Sequence, residues 1–258
     1  MTFFDKYDGN NHLMNNINYD AYANMLSLQA KMCFPFESGV YLNHSIHKLN
    51  KIGEIGCGNA SYANKLTGLT NEANFICIDH DEKILNKASN INSKIKTSVG
   101  DIRSLPSDIE LLISRLVLHQ IEDRDDFIDE VGRKLKTGNK LIIIDSYDKY
   151  FKLIPKLEFF SKHLSSHRKK LSPRTASRNL KNDIIYEVEK REFKLIDEQN
   201  YYVPSTLPKY KEYFKEYMLE TAKIFGINSE INKDIQDWFE NMNSYAQIGL
   251  FICVFEKL

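Results

Sequence analysis

The stretch "KIGEIGCGNASYANKL", Lys51 to Leu66, joins an apolar run containing an acid to a glycine turn and then to a helical pattern. Gly56 and Gly58 permit positive φ and let backbone N–H groups approach a ligand with no Cβ in the way. In open α/β sheets, a turn of this kind at the carboxyl end of the first strand binds nucleotide-like ligands. "GCGNAS" comes close to the dinucleotide spacing, with Ser61 in the third glycine's place. Glu54 separates the candidate ligands. A carboxylate directed into the turn repels a pyrophosphate and favours a ligand that carries an ammonium group and no phosphate. The plainer alternative is a solvated acid at a strand end.

Around this turn, short apolar runs alternate with helical patterns. Strands are predicted at "HKLNKIGEI" (47–55), "NFICID" (74–79), "IKTSVGD" (95–101), "IELLIS" (109–114) and "KLIIID" (140–145). Helices are predicted at 59–69, 81–91 and 123–138, the last opening on acids and closing on Gly138 as its cap. "LIIID" is apolar at successive positions, as in a strand covered on both faces. Strands alternating with helices imply right-handed crossovers and a mainly parallel, doubly wound sheet. After Asp145 the pattern changes. Segments 147–190 and 205–246, like 14–34, read as mainly helical, with late strands at 193–203 and 247–258. No repeat or low-complexity linker divides the chain. The reading is one α/β domain: a helical cap over 1–45, a core over 46–145, and substrate-side helices with two strands over 146–258.

Lys plus Arg and Asp plus Glu both number 35 in a chain of 258 residues, so no global charge draws it to nucleic acid or an anionic membrane. The four cysteines form no CxxC pair and no metal-ligand spacing, which suits reduced, buried thiols. The segment "MTFFDKYDGNN" lacks a basic region followed by an apolar run, and no stretch reaches membrane-spanning length. A soluble cytoplasmic protein is expected.

"EIGCGNA" resembles motif I, (E/D)xGxGxG, of the class I S-adenosylmethionine (SAM)-dependent methyltransferases, with Ala60 in the third glycine's place. SAM carries an ammonium, a sulfonium and an adenosine, and no phosphate. The resemblance spans about residues 46 to 145 and implies a Rossmann-like fold with a seven-stranded, mostly parallel sheet. It assigns Glu54, Gly56 and Gly58 to the cofactor. It assigns Asp79, which ends "FICID", to both ribose hydroxyls, a carboxylate being able to accept two donors. His80 follows as a neighbouring cofactor contact, while Asp81 N-caps the next helix. Asp101 becomes the acceptor for the adenine amino group, with the Ile102 N–H meeting the ring. Within "LLISRLVLHQIED", the resemblance gives Ser114 a backbone carbonyl near the cofactor. It sets His119 beside the methyl donor as a base for an acceptor hydroxyl. For His119 the alternative is a hydrogen-bonded core histidine.

The N-terminal pattern carries Tyr19, Tyr22 and Met25 at helical spacing. The resemblance makes Tyr19 or Tyr22 part of a lid over the cofactor, and Tyr19 is taken as a second catalytic candidate; ordinary packing is the alternative. "SRLV" stands where relatives that modify adenine N6 or glutamine carry (D/N/S)PP(Y/F), which disfavours that class. Relatives that hold a divalent metal need acids after strands four and five, and Ser114 is not an acid, so no metal is expected. The acceptor is expected to be a small molecule methylated on oxygen or nitrogen, with an anionic or a carrier-bound one among the options and S-adenosylhomocysteine (SAH) as the product. The basic segment 162–181 raises two alternatives to a solvated face: recognition of an anionic acceptor, or RNA methylation. A SAM-binding regulator without catalysis is a further alternative.

Overall fold

A computed structural model describes residues 17–89, 91–121, 123–157, 180–224 and 229–258. The basic segment expected at 162–181 lies outside these residues except for Leu180 and Lys181.

The core strands are β1 (Lys51–Ile55), β2 (Asn74–Asp79), β3 (Ile95–Val99), β4 (Leu111–Arg115) and β5 (Lys140–Ser146). They pair in parallel in the order β3-β2-β1-β4-β5. Between them run α2 (Ser61–Leu66), α3 (Glu82–Leu85) and α4 (Arg124–Lys134), preceded in the chain by α1 (Tyr19–Asn43). The remaining elements are β6 (Lys152–Ile154), α5 (Lys181–Glu189), β7 (Phe193–Pro204), α6 (Tyr210–Ile224), α7 (Ser229–Glu240) and β8 (Tyr245–Lys257).

The sheet has eight strands where seven are expected. β8 runs antiparallel to β5, and its other edge is taken along residues 247–257 by β7. Because a strand has two edges, β6, which pairs with residues 245–247, must continue along the β5 edge. The eighth strand is thus a three-residue extension of the line begun by β5. A chain turn at 147–150 separates the two.

Other boundaries also differ from the sequence reading. The N-terminal helix starts at Tyr19, where the Asn18 side chain accepts the Ala21 N–H at 3.1 Å, and runs on to Asn43 through Pro35. Residues 46–48 form a single 3-10 turn, so β1 begins only at Lys51. The helix expected over 81–91 is one turn. The 147–157 region holds a 3-10 turn and β6 where helix is expected. Gly138 does not cap α4: the helix closes at Leu135, whose N–H reaches Val131. Gly138 instead takes φ +84 in the turn into β5 and donates its N–H to the Lys257 carbonyl at 2.8 Å.

Two layers seal the sheet. On one face Ile55, Ile78, Leu112, Ile143 and Phe251 pack with α4 and α5. On the other, Ile52, Phe75, Cys77, Ile113 and Ile144 meet Tyr41 from α1 and Tyr62 and Leu66 from α2. A third cluster joins α1 to α6 and α7 around Met32, Phe214, Met218, Ile235 and Trp238. Burying each such large side chain contributes about 1.5–3 kcal/mol. Trp238 also donates its indole N–H to the Ile154 carbonyl at 3.0 Å, which fastens α7 to β6. Among the described residues no helix is long and apolar enough to cross a membrane.

Candidate functional site

The glycine turn connects β1 to α2 with Gly56 at φ +67, Gly58 at φ +55 and Ala60 at φ +57. Space adds to this at Gly56, and less at Gly58, where the atom met is the end of a flexible side chain. A Cβ on Gly56 would meet Val117 Cγ2 at 2.3 Å, and one on Gly58 would meet Leu26 Cδ1 at 2.6 Å. Ala60 accepts the left-handed conformation at the N-cap of α2 without glycine's freedom.

Leu26 belongs to α1, so the N-terminal helix lies directly on this turn. Asn59 fixes it there by donating from Nδ2 to the Ala23 carbonyl and to Ser27 Oγ, both at 3.0 Å. The Ser27 and Ser61 hydroxyls share a 2.8 Å bond. The Tyr19 hydroxyl donates to Asp81 Oδ2 at 3.0 Å, and its acid constant is pushed up to about 12 by burial and then by Asp81. Burial, followed by the charges of Asp79 and Asp81, raises Tyr22 well above the ordinary phenol range. Both tyrosines therefore remain protonated at neutral pH, and Tyr22 is the one under the influence of Asp79.

Asp79 ends β2 beside the turn. Its Oδ2 accepts the Gly58 N–H at 2.8 Å, and its Oδ1 accepts the Asp81 N–H at 3.0 Å. Burial acts to raise its acid constant, but His80, 3.3 Å away, and the two N–H groups outweigh it and hold the carboxylate below its usual range. Asp81 accepts from the N–H groups of Lys83 and Ile84 and caps α3, as its position after the strand suggests.

Asp101 follows β3 and accepts the Arg103 N–H at 2.9 Å, opening a 3-10 turn that begins at Ile102. Arg103 also pairs with it through Nη1 at 3.2 Å. A small open cleft runs from the turn to this acid, lined by Gly56, Asp79, His80 and Asp101 with Ile55, Ile78, Ile102, Ile121 and Phe127 as apolar walls. Acid acceptors next to apolar walls match a nucleoside, whose hydroxyls and exocyclic amine donate while its base is flat and weakly polar. Among its described lining residues there is no lysine or arginine to meet a phosphate.

Glu54 lies beneath the turn rather than in the cleft, 2% exposed and facing the backbone N–H of Ala63 in α2. Burial pushes its acid constant to about 8, against the pull of Arg115. The folded chain thus holds a proton here that the unfolded chain releases above the ordinary carboxyl value of 4.5. Its contribution is complete below about 4.5 and declines as pH rises towards 8. Melting temperatures measured across this window are expected to fall with pH in the native chain and to fall less in Glu54→Gln. An unchanged slope in the variant would contradict the buried, protonated state.

Ser114, one residue before the end of β4, has a buried hydroxyl with no hydrogen-bond partner among the described residues. His119 follows in a 3-10 turn and is joined to Asp145 at the end of β5. His119 is thus a buried, hydrogen-bonded histidine, and no hydrogen bond joins it to Tyr19, which is engaged at the α3 side of the site. The structure groups Gly56, Asp79, His80, Asp101 and Ile102 around one cleft, with Glu54 under it and Ser114 and His119 on the next strand exit.

Sequence reasoning missed the group that anchors α1. Arg115 donates from Nε to Glu37 Oε2 at 3.0 Å and from Nη2 to Oε1 at 3.1 Å, and both residues are buried. Its guanidinium lies 4.4 Å from the centre of the Tyr62 ring, and the Tyr201 hydroxyl also donates to Glu37. The available signal was a charged residue inside the apolar run "LLISRLVL", which requires a buried partner. Among the described residues no group of three or more His, Cys, Asp or Glu side chains is placed to hold a metal ion.

A family model described as a methyltransferase domain matches residues 46–204. No curated protein matches the chain. A solved protein from Bacillus halodurans, assigned as a methyltransferase, superposes with a TM-score of 0.55 at 15% identity, over 85% of this chain and 99% of its own. One from Anabaena variabilis, assigned to methyl transfer in antibiotic biosynthesis, gives 0.58 at 12% identity over 81% and 91%. Phosphoethanolamine N-methyltransferase 2 of Haemonchus contortus, solved with phosphomonomethylethanolamine and SAH, gives 0.50 at 15% identity over 81% and 48%. At these identities the likeness is one of fold.

Proposed function

Since the chain belongs to the class I SAM-dependent methyltransferases, we propose that it methylates an oxygen or nitrogen of a small metabolite in the cytoplasm. SAM, when bound, supplies a methyl group already activated on a sulfonium. The chain's own task is then to bind, orient, exclude water and handle one proton. One observation carries the reading: a cleft with two strand-end acids, apolar walls and no lysine or arginine among its described lining residues.

In this reading Asp79 accepts the ribose hydroxyls, beside His80. Asp101 and the Ile102 N–H meet the adenine edge between Ile78, Ile102 and Phe127. Gly56 and Gly58 let the backbone approach the amino-acid end, with Ser114 at the neighbouring strand exit. Glu54 contributes from below: an ammonium above the turn favours loss of its proton, whereas a pyrophosphate there would meet a carboxyl group and no cation. Helix α1 covers the turn through Leu26 and the Tyr19–Asp81 bond. Orientation of two reactants in such a site is worth up to about 7–11 kcal/mol of barrier. His119 stands as the base for the acceptor.

The acceptor class is tested by incubating the protein with methyl-labelled SAM and an unfractionated cell extract. Label is expected in the low-molecular-mass fraction. Label confined to RNA or protein would overturn the small-molecule reading.

A further inference from the structure

The sheet ends on β3 at one side and on β7 at the other, and the two edges are built differently. The twelve residues of β7 pair only with β8, a bulge breaks their register between Leu195 and Asp197, and Lys194, Asp197 and Glu198 set charges along the strand. Bulges and charges of this kind keep an edge from pairing with another chain. β3 pairs only with β2, in unbroken register from Ile95 to Val99, and it carries neither proline nor bulge and a single charged residue, Lys96. Lys96, Thr97, Ser98 and Val99 are all exposed, Val99 by 53%. Half of the strand's backbone is used. The Phe75 N–H reaches the Lys94 carbonyl at 2.9 Å and the Gly100 N–H reaches the Asp79 carbonyl at 3.0 Å, so residues 94, 96, 98 and 100 face β2. The alternate residues, Ile95, Thr97 and Val99, turn their N–H and C=O groups outward. The Ile95 N–H is taken by the Asn92 carbonyl at 2.9 Å. Among the described residues no hydrogen bond reaches the outward groups of Thr97 and Val99 or the Ile95 carbonyl.

We propose that this edge is the docking surface for a second copy of the chain, the two β3 strands pairing antiparallel about a two-fold axis through Thr97. The groups left over on each edge fix the register. Thr97 faces Thr97 of the second copy and exchanges both backbone bonds with it, and each Val99 N–H donates to the Ile95 carbonyl across the axis. On one face the exposed Val99 side chain is then set opposite Ile95 of the second copy. On the other face Lys96 lies opposite Ser98, so no like charges stand directly opposed. The charges favour this occupant over an acidic strand from another protein. Lys94 is already paired with Glu72 at 3.4 Å, and Lys96 is the sole cation of β3 itself. With 35 basic and 35 acidic residues, two copies carry no net charge to hold them apart. A contact made by one strand pair is small, which places the dimer among weak, reversible associations. The pairing does not depend on the methyl-transfer reading.

Sedimentation velocity of the purified full chain, from micromolar to near-millimolar concentration, reads the pairing. The native chain is expected to pass from monomer to dimer as concentration rises. Thr97→Pro removes both central N–H donors and no bond to β2, so it is expected to weaken the dimer about tenfold or more while the circular dichroism spectrum stays native. Ser98→Glu and Ser98→Lys leave the backbone alone. Opposite Lys96, the glutamate is expected to tighten the dimer and the lysine to weaken it. Hydrogen exchange locates the contact: the Thr97 and Val99 amides are expected to be protected at high concentration and to exchange freely on dilution. A chain that stays monomeric throughout overturns the proposal, and so does a dimer indifferent to all three variants. Protection of both amides in a monomer overturns it too, because another part of the same chain then covers the edge.

Discussion

Asp79→Ala is expected to weaken SAH binding by at least about 30-fold, or roughly 2 kcal/mol, as measured by calorimetry. The carboxylate is 8% exposed, is held in its ionised form and sits at the edge of the cleft. Hydrogen bonds to a charged acceptor contribute about 1.5–3 kcal/mol each, and a ribose presents two donors to one carboxylate. The substitution also frees the Gly58 N–H, which Asp79 holds at 2.8 Å, so the turn loses a constraint together with the ligand contact. Asp79→Asn keeps an acceptor and is expected to lose less. Asp81→Ala removes a helix cap, which costs about 1 kcal/mol of stability. Native affinity in Asp79→Ala would remove Asp79 from the ribose site.

Glu37→Ala carries the largest expected effect on stability. Removing one partner of a buried ion pair costs about 3–5 kcal/mol, because the remaining charge is left without compensation. Arg115 would keep its guanidinium in a region where Glu37 is wholly enclosed and Tyr62 covers the ring side. For a chain of this length the melting temperature is expected to drop by about 6–20 °C. A double replacement, Glu37→Met with Arg115→Met, removes both charges and is expected to recover most of the loss. Equal instability of the single and double variants would show that the pair acts through something other than charge burial. The pair also has a functional consequence. It ties α1, the helix that lies over the glycine turn, to the end of β4, whose exit carries His119. Its loss is expected to loosen the packing of α1 on the glycine turn as well as the fold.

The parts of this arrangement that were legible in the sequence are those set by local chemistry. The glycine turn needs positive φ at Gly56 and Gly58, and few residues supply it. Apolar runs that end in Asp79 or pass into Gly100-Asp101 mark strand ends whose acids face a cleft, and Asp81 caps α3 two residues beyond Asp79. The features that were not legible are those that depend on tertiary partners. Arg115 and Glu37 are 78 positions apart, and His119 and Asp145 are 26 apart, so neither pairing leaves a periodic trace. β6 is a three-residue strand that exists because an edge of β8 remains open beyond β5. Gly138 follows a helical pattern with lysines before it, yet the turn into β5 claims it. Glu54 was legible as an acid before the turn, but its burial under α2 depends on packing that only the fold supplies.

The central claim is that the loop after β1 is built for a nucleoside joined to an amino acid and not for a dinucleotide. Calorimetric titration of the purified protein with SAH and, separately, with NAD tests this most directly. The expected result is saturable heat with SAH at one site per chain and none with NAD. Saturable binding of NAD with no response to SAH would contradict it.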